Sequence, residues 1–349
     1  MKESKKIKLI VWDLDNTVWC GVLSENENVT LRSGIKVVMD TLDKRGILQS
    51  ISSKNNHNCA INKLEEFGIA HYFLYPKINW NPKSDNIRDI VKQINISQDT
   101  VAFIDDQAFE REEVKFSLPN ITVYPAEDIE NILLKDCMNP NFITEDSRLR
   151  RSMYQNEIKR REEELEFVGT KEDFLSTSRI KIRISPAREG DLQRAEELTV
   201  RTHQLNSTGY TYSYQDLCKL VDDDAYKIWI VEMSDKYGSY GKIGLVLIHI
   251  NQEEWIVKLL LTSCRVMSYG IGSLLLSKII NKSLEERKDL LAEFIQTDRN
   301  RIMFVTYSMM GFQEIGSNGN AKILKCTARE KHRLPEFMEI IDETLKESI

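Results

Sequence analysis

Two aspartates, Asp13 and Asp15, stand near the start of the chain with one residue between them. They follow a short apolar run at residues 8–12, KLIVW, which is typical of a buried strand in a parallel sheet. One carboxylate at the end of such a strand can attack phosphorus and bind Mg²⁺ as a hard oxygen ligand. The next can serve as general acid and base for the leaving group and the water. The pair therefore predicts phosphoryl chemistry.

Two further residues supply groups that this chemistry needs, namely positioning and charge neutralisation. Ser53 follows a second predicted strand, at about 47–52, and is placed to hydrogen-bond the transferring phosphoryl group. A plain loop serine is the alternative interpretation. Lys83 opens a predicted helix at about 83–94 and is placed to neutralise phosphate charge and hold Asp13, although in isolation it would be a surface lysine.

A second acidic pair, Asp105 and Asp106, ends another apolar strand at 100–104. Adjacent carboxylates there repel one another unless a cation lies between them and Asp13. A helix N-cap explains one of the two aspartates but not the pair. The spacing therefore predicts a Mg²⁺ site that joins Asp13 to this second pair.

Residues 11–17, VWDLDNT, resemble the first motif, DxDxT, of the haloacid-dehalogenase (HAD) superfamily. The resemblance implies an aspartyl-phosphate at Asp13 and an acid/base role for Asp15. It also implies Mg²⁺ held by Asp13, the carbonyl group of Asp15 and Asp105. Asp106 is a further candidate ligand. The candidate phosphate-binding residues around these motifs are Thr17, Ser53, Lys54, Asn55 and Lys83.

Longer segments follow the pattern of one branch of that superfamily. They are DLDNTVWCGVLSE, SSKN, PKSDNI, FIDDQAFERE, RTHQLNSTGYTYS at 201–213, LTSCRV at 261–266 and GF at 311–312. Across nearly its whole length the chain is therefore similar to the FkbH-like family. The resemblance implies a glyceryltransferase/phosphatase that loads a three-carbon unit from 1,3-bisphosphoglycerate onto the phosphopantetheine of an acyl carrier protein in polyketide-type biosynthesis. The chain departs from the family at SENENV, where an acidic-glycine turn is usual.

Strands alternate with helical segments through the first part of the chain, which predicts an α/β fold. We expect a HAD-like, Rossmannoid parallel sheet in residues 1–140. A charge-dense stretch at 145–166 predicts a solvated helix within a linking region, residues 141–178. A new α/β pattern starts at 179, so we expect a second domain at 179–349, resembling the acyltransferase fold of the GCN5-related (GNAT) type.

The second domain carries the candidate thiol for acyl transfer. Transfer from an acyl phosphate to a carrier thiol is easier through an enzyme thioester, which calls for a cysteine of lowered pKa. Cys264 ends a predicted apolar strand beside Arg265, itself a candidate substrate-binding residue, and is the first candidate. Cys20, just past the two aspartates, is the second. A buried small hydrophobe is the alternative interpretation of either cysteine.

Two further segments of this domain are candidate pantetheine contacts. Gly270 and Gly272 precede an amphipathic helix, and backbone N–H groups there can bind a pantetheine phosphate; a simple helix-start turn is the alternative. Met267 stands where the GNAT pattern has Arg or Gln, which favours carrier-bound phosphopantetheine over acetyl-CoA. A polar cluster, His203, Gln204 and Asn206, is a candidate lining of the acyl pocket, with His203 as a possible base; surface residues at a helix end are the alternative.

The composition limits the partners. The 349 residues carry a net charge of −6, which argues against a general nucleic-acid or membrane-surface binder. An acyl carrier protein, itself acidic, would need a local basic patch. The six cysteines form no CxxC pair, and we find no signal peptide or membrane span, so we expect a cytoplasmic protein.

Three function classes remain open from the sequence. The first is the carrier-protein glyceryltransferase with phosphatase chemistry. The second is a stand-alone Mg²⁺-dependent small-molecule phosphatase whose second domain only binds or covers the substrate. The third is a non-enzymatic carrier-binding or scaffold module. The acidic residues at 13, 15 and 105 argue against the third, because clustered carboxylates are costly without a metal.

Overall fold

The computed structural model describes residues 6–26 and 28–344. The chain divides into two compact units, Met1–Gln155 and Asn156–Ile349. The division falls inside the region 141–178 that the sequence predicts to link two domains. Each unit is an α/β structure, which confirms the predicted fold class.

The first unit contains a five-stranded sheet whose order is β5-β4-β1-β6-β7, with all neighbours parallel. A short two-stranded ribbon, β2 with β3, lies outside that sheet. The strands are β1 (Leu9–Trp12), β2 (Trp19–Cys20), β3 (Thr30–Leu31), β4 (Leu48–Ser53), β5 (Lys77–Ile78), β6 (Val101–Asp105) and β7 (Thr122–Pro125). The α-helices are α1 (Ile35–Lys44), α2 (His57–Glu66), α3 (Lys83–Ile94), α4 (Ala108–Ser117) and α5 (Glu145–Arg148). Short 3₁₀ helices cover Ala70–Tyr72, Gln98–Thr100, Ala126–Leu134 and Asp136–Met138.

Strand β1 is the centre of this sheet and is buried along its whole length, as its apolar sequence predicts. Trp12, its last residue, pairs with Ile51 of β4 on one side and Ile104 of β6 on the other. The three central strands therefore end at the same edge of the sheet, where ligands of open parallel sheets bind. The residues that follow β1 and close β4 and β6 are brought to that edge.

Helix α3 begins directly after a proline. Pro82, with φ near −52°, precedes the first helical residue, Lys83. A proline at a helix start costs no hydrogen bond, because the first N–H groups have no partner inside the helix. The buried face of the first turn includes Lys83 itself, so the helix start aims a lysine inward.

The second unit is built on an eight-stranded sheet of order β13-β14-β12-β11-β10-β9-β8-β15. Its strands are β8 (Ile180–Pro186), β9 (Tyr226–Asp235), β10 (Gly238–Ile250), β11 (Glu254–Thr262), β12 (Asp289–Phe294), β13 (Phe312–Asn318), β14 (Ala321–Cys326) and β15 (Met338–Asp342). The remaining helices are α6 (Arg150–Glu166), within which the two units divide, then α7 (Lys171–Thr177), α8 (Glu189–Arg201), α9 (Tyr214–Val221), α10 (Ile271–Glu285) and α11 (Arg301–Met309).

Most neighbours in this sheet are antiparallel, but β11 runs parallel to β12, and β15 runs parallel to β8. The pairing of β11 with β12 extends only to Val257 opposite Ala292, although both strands continue. A 3₁₀ helix, Cys264–Tyr269, and then α10 follow β11, while α11 follows β12. Because the two strands are parallel, α10 and α11 both begin at the carboxyl end of this pair.

The predicted solvated helix at 145–166 is wrong in two respects. The structure has two helices that meet at Leu149 rather than one. The longer one, α6, is also not a purely solvated surface helix, because Glu157 and Arg160 are buried. The Arg160 guanidinium donates two hydrogen bonds to Glu157, at 2.8 and 2.9 Å, and packs over the Tyr269 ring at 5.0 Å.

The strand predicted through Cys264 is also wrong at its end, since β11 stops at Thr262. Ser263 accepts a hydrogen bond from the backbone N–H of Arg265, and this contact starts the 3₁₀ helix. A serine that binds the backbone two residues ahead competes with strand pairing. Cys264 therefore opens a helical turn instead of ending a strand.

We predict that Arg160→Ala destabilises the second unit by about 3 kcal/mol, because the Glu157 carboxylate then stays buried without its main partner. Arg161→Ala is the matched control: Arg161 binds the same carboxylate from one position away, but its side chain is 42% exposed. That change should cost less than about 1 kcal/mol. Hydrogen-exchange rates of peptides from β10 and β11 measure both effects, and equal losses would contradict the prediction.

Candidate functional site

Three carboxylates converge at the carboxyl edge of the first sheet. Among the residues that the structure describes, Asp13, Asp105 and Asp106 form a group whose candidate ligand atoms all lie within 4.8 Å of one another. Asp13 and Asp105 are buried, and Asp106 is half-buried. The parallel register of β1 and β6 produces this convergence, because Asp13 directly follows β1 and Asp105 closes β6.

Lys83 joins two of these carboxylates from the start of α3. Its ammonium group donates a hydrogen bond to Asp13 Oδ1 at 2.8 Å and a second to Asp105 Oδ2. The side chain of Lys83 is only 3% exposed, so both contacts are shielded from water. A buried cation between two buried carboxylates neutralises part of a charge that burial would otherwise make costly.

Burial raises the pKa of Asp13 and of Asp105, and the positive charge of Lys83 opposes this effect in both. Burial raises the pKa of Asp13, against the opposing effects of the Lys83 charge and the Ser53 hydroxyl. Burial, then the charge of Asp13, raises the pKa of Asp105. Burial works to lower the pKa of Lys83, but the two carboxylates outweigh it, so that pKa is raised. The lysine therefore stays an ammonium group.

Thr17 connects the loop after β1 to the loop after β6. Its hydroxyl donates to Asp13 Oδ2 at 3.4 Å and accepts the backbone N–H of Asp106 at 3.1 Å. It is fully buried. The threonine predicted as a phosphate contact is thus also a structural link between Asp13 and Asp106.

The Asp15 carboxylate does not belong to the three-carboxylate group. One oxygen accepts the indole N–H of Trp19 at 2.7 Å and the backbone N–H of Leu23 at 3.1 Å. The other accepts the side-chain amide of Asn55 at 3.0 Å. These donors fix the position of the carboxylate beside the Asp13 loop. Its acid/base role and the metal contact of its carbonyl group stay predictions.

Two of the residues that follow β4 have partners inside the first unit. Asn55 orients Asp15, as described above. The Lys54 ammonium group forms an ion pair with Glu110 of α4 at 2.8 Å. Ser53 is buried and acts on the pKa of Asp13. Phosphate binding by these residues remains a prediction, and the position of Ser53 next to Asp13 is the most favourable for it.

Two arginines that were not among the predicted site residues support the site. Arg111 of α4 donates to the backbone carbonyl groups of Asp105 and Asp106 at 2.9 and 2.7 Å. Arg32 donates to the carbonyl group of Thr17 at 2.7 Å. Both hold loop backbone rather than side chains; Arg111 lies within the segment FIDDQAFERE, whereas Arg32 lies outside the segments that carry the resemblance.

The three carboxylates fit a divalent cation. Asp106 Oδ1 is buried and has no hydrogen-bond partner, whereas Asp105 accepts from Lys83 and from the N–H of Gln107 at 2.7 Å. A buried oxygen without a donor is costly, and a hard cation satisfies it. Oxygen donors at this spacing suit Mg²⁺. Asp13, Asp105 and Asp106 are the residues that would hold it.

The candidate thiol of the second unit, Cys264, is half-buried and opens the Cys264–Tyr269 turn. Arg265 beside it is buried, and its guanidinium donates to the Tyr240 carbonyl group at 3.1 Å. Gly270 has φ of +70°, a conformation that glycine adopts without strain, and it directly precedes α10. Gly272 lies within α10, and a Cβ at either glycine would contact no other residue of the protein.

The polar segment at 203–206 lies along the end of β11. Asn206 forms an antiparallel bridge with Leu261, and the N–H of Thr262 donates to the Leu205 carbonyl group at 3.0 Å. This edge is free because β12 has diverged from β11. The structure thus brings the segment containing His203 and Gln204 to the strand end that leads into Cys264.

Within that segment the side chains differ. Asn206 is fully buried, and its side-chain oxygen accepts the N–H groups of Thr208 and Gly209 at 3.0 and 2.8 Å. Asn206 therefore shapes its own loop. His203 is exposed and Gln204 is half-buried. A ligand role for these residues is still a prediction.

The second candidate thiol, Cys20, is exposed in the two-stranded ribbon, paired with Thr30. None of the six cysteines, all of which lie within the described residues, forms a disulfide bond. Among the described residues no helix has both the length and the apolar sequence to cross a membrane.

Residues 20–115 match a family model, described as haloacid dehalogenase-like hydrolase. The matched range includes Ser53, Lys83 and Asp105. No curated protein sequence matches the chain.

Several solved structures are similar to parts of the chain. One is the N-terminal part of a Bacteroides fragilis protein containing a phosphatase domain, complexed with Mg; identity is 30%, over 39% of this chain and 41% of that one, with a TM-score of 0.33. The chain thus spans well under half of that structure.

Two others are N-acetyltransferases. PaiA from Thermoplasma acidophilum, in complex with coenzyme A, is 15% identical over 42% of this chain and 99% of its own, with a TM-score of 0.33. The ribosomal-protein-S18-alanine enzyme from Escherichia coli is 14% identical over 44% and 99%, with a TM-score of 0.32.

Residues 20–115 of the first unit are therefore similar to haloacid dehalogenase-like hydrolases.

We predict that Lys83→Met lowers the stability of the first unit by about 3 kcal/mol in EDTA, because it leaves two buried carboxylates facing each other without a cation. Millimolar Mg²⁺ should recover much of that loss by taking the place of the ammonium charge. Calorimetric melting with and without Mg²⁺ measures both effects. Lys54→Met, which breaks the half-exposed pair with Glu110, is the control and should show no recovery. A Lys83 variant that melts like the wild type in EDTA would refute the prediction.

Proposed function

We propose that the protein is a Mg²⁺-dependent phosphatase and glyceryltransferase. It would take a glyceryl unit from 1,3-bisphosphoglycerate, remove its remaining phosphate and load it as a thioester on the phosphopantetheine of an acyl carrier protein, in cytoplasmic polyketide-type biosynthesis. The observation that carries the proposal is the group of Asp13, Asp105 and Asp106, in which Lys83 binds the two buried carboxylates, Asp13 and Asp105. The resemblance to the FkbH-like family supplies the substrate and the partner.

Dephosphorylation is assigned to Asp13. Its carboxylate attacks the phosphorus of the phosphate ester, the bond to the substrate oxygen breaks, and an aspartyl-phosphate forms. Water then releases inorganic phosphate and restores the carboxylate. Lys83 donates a hydrogen bond to Asp13, and Ser53 lies beside Asp13. Both can therefore contact the phosphoryl oxygens while negative charge develops on them.

Proton transfer in these two steps is assigned to Asp15. It gives a proton to the leaving oxygen and later takes one from the attacking water. Its three donors, Trp19, Leu23 and Asn55, hold the carboxylate in one position, which general acid–base catalysis requires. When Mg²⁺ is bound by Asp13, Asp105 and Asp106, it supplies charge neutralisation for the transferring phosphoryl group.

Acyl transfer is assigned to the second unit. The Cys264 thiolate attacks the carbonyl carbon of the acyl phosphate, phosphate leaves, and the glyceryl group then passes to the carrier thiol by thioester exchange. The position of Cys264 at the carboxyl end of the parallel β11–β12 pair supports this assignment, because ligands bind at such ends. Gly270 lies at the start of α10 in the same region, where backbone N–H groups can bind the pantetheine phosphate.

One observation favours the second candidate, a stand-alone phosphatase. Every residue assigned to phosphate removal, from Asp13 to Asp106, lies in the first unit. That chemistry therefore needs nothing from the second unit. The third candidate, a non-enzymatic scaffold, leaves the unpartnered oxygen of Asp106 unexplained.

Intact mass spectrometry tests the proposal directly. The protein is mixed with Mg²⁺, 1,3-bisphosphoglycerate made in situ and a phosphopantetheinylated carrier protein from the same gene neighbourhood. A glyceryl-sized mass increase on the carrier supports the transferase. Phosphate release without a mass increase on either protein favours the phosphatase. Absence of both supports the scaffold.

We predict that Asp13→Asn reduces phosphate release to the background rate, because the amide cannot form the covalent intermediate. Asp15→Asn should slow release about a hundredfold or more, since it removes the proton donor but keeps the nucleophile. Glu112→Gln, on the exposed surface of α4, is the control and should release phosphate at the wild-type rate. An Asp13→Asn protein that still turns over would exclude Asp13 as the nucleophile.

We predict that Cys264→Ala abolishes loading of the carrier and the thioester adduct on the enzyme, while phosphate release from a simple phosphate ester continues. Cys20→Ala should leave the adduct in place. The adduct is identified by its mass and its lability to hydroxylamine. An adduct that survives in Cys264→Ala but disappears in Cys20→Ala would transfer the role to Cys20.

A further inference from the structure

We propose that Glu110 is an internal competitor for a cation that binds the substrate phosphate. In the free protein Lys54 is bound to Glu110, and it transfers to the phosphoryl oxygens when a phosphate enters the site. The inference rests on the phosphatase part of the proposed function and needs nothing from the transferase part. It gives a role to Glu110, which takes no part in the mechanism described above.

Lys54 stands between two residues that lie against the aspartates assigned to phosphate removal. Ser53, before it, closes β4 and lies beside Asp13. Asn55, after it, donates to Asp15 Oδ2 at 3.0 Å. The backbone of Lys54 is therefore fixed beside the group that attacks phosphorus. Its side chain is a flexible four-carbon stem and is 36% exposed, so the ammonium group can move while that backbone stays in place.

The ammonium group of Lys54 binds a carboxylate from the opposite side of β1. Glu110, in the first turn of α4, accepts its hydrogen bond at 2.8 Å. Lys54 follows β4 and α4 follows β6, and β1 lies between these two strands in the sheet. The ion pair therefore spans the end of the strand from which Asp13 emerges.

The two partners of this pair differ in burial. The side chain of Glu110 is only 7% exposed, whereas that of Lys54 is 36% exposed. A carboxylate so well buried needs a bound cation, but a partly exposed ammonium group can exchange one anion for another. Phosphate carries a charge of about −1.5 to −2 at neutral pH, compared with −1 for a carboxylate, and can therefore compete for Lys54.

The charges around the site explain why phosphate needs a second ammonium group. Lys83 is already bound to two carboxylates, and an entering phosphate adds further negative charge. Arg32 and Arg111 donate to backbone carbonyl groups of the loops. Lys54 is paired with a side chain that an anion can replace, and its charge would offset that of the phosphate.

The competition has a consequence for turnover. Inorganic phosphate is the product and must leave the site. A carboxylate that takes Lys54 back weakens phosphate binding and so favours release. Removal of the Glu110 charge should therefore strengthen phosphate binding, and removal of Lys54 should weaken it. An ion pair that only holds the loop after β4 to α4 predicts the same direction for both changes, because either one breaks it.

Inorganic phosphate is the probe for this test, with the Mg²⁺ concentration held constant. Titration calorimetry measures its Kd, and inhibition of phosphate release from a simple phosphate ester measures its Ki. Glu110→Gln should lower both constants about fivefold, and Lys54→Met should raise both about tenfold, as expected for one charge-assisted hydrogen bond.

The double variant separates competition for Lys54 from direct repulsion of phosphate by Glu110. In the Lys54→Met background there is no ammonium group to compete for, so Glu110→Gln should change the Kd by less than about twofold. The double variant also leaves no buried carboxylate without a partner. If Lys54→Met alone does not fold, comparison of the double variant with Glu110→Gln measures the contribution of Lys54.

The control variants remove the same charges elsewhere in the first unit. Glu112→Gln removes a negative charge from an exposed position of α4. Lys44→Met breaks an ion pair with Asp40 in which the lysine is 61% exposed. Both should bind phosphate as the wild type does. Circular dichroism and melting confirm that each variant is folded.

Three outcomes would overturn the inference. Weaker phosphate binding in both single variants would show that the pair is only structural. Unchanged binding in either single variant would show that Glu110 and phosphate do not compete for Lys54. An equal gain from Glu110→Gln with and without Lys54 would show direct repulsion. If the wild type neither binds phosphate nor releases it from an ester, the proposed phosphatase itself fails, and this result is distinct from a change confined to the variants.

Discussion

The buried ammonium group of Lys83 is the contact on which the first unit depends. It joins Asp13, which follows the central strand, to Asp105, which closes its neighbour, and it does so from the first turn of α3. The end of β1, the end of β6 and the start of α3 are distant in sequence, and all three therefore meet at this ammonium group. The arrangement is stable only if the lysine remains protonated, and the two carboxylates ensure this by raising its pKa. Burial that would destabilise each group alone becomes tolerable for the three together.

The positions of Asp13, Lys83 and Asp105 could be predicted from the sequence because each stands at the end of an apolar strand or the start of a helix. Parallel strands end at one edge, so this local pattern already implies proximity. The direction of the Asp15 side chain could not be predicted in this way. Its carboxylate turns to Trp19, Leu23 and Asn55, and that choice depends on how the two-stranded ribbon folds back.

In the rest of the chain, charge patterns predicted less well which polar side chains are buried and what they bind, for a physical reason. The run around Glu157 and Arg160 has the mixed charges of a solvated helix, yet these two residues pair within one turn and are buried together. Likewise, Asn206 belongs to a polar run that suggests a pocket, but it satisfies the backbone of its own loop. In both cases the sequence shows polar groups, while the packing of other segments decides whether they bond within the protein or to a ligand.

The adjacent residues Asp105 and Asp106 differ in whether the protein itself supplies hydrogen-bond donors to their carboxylates. Asp105 is satisfied by the protein itself, through Lys83 and the N–H of Gln107. Asp106 uses its backbone N–H to hold Thr17 but leaves one buried carboxylate oxygen without a donor. Lys83 therefore neutralises only part of the acidic group, because its hydrogen bonds go to Asp13 and Asp105. If Asp106 served stability alone, a neutral residue in its place would make the fold more stable. The carboxylate of Asp106 therefore makes physical sense as a ligand for a cation from solution.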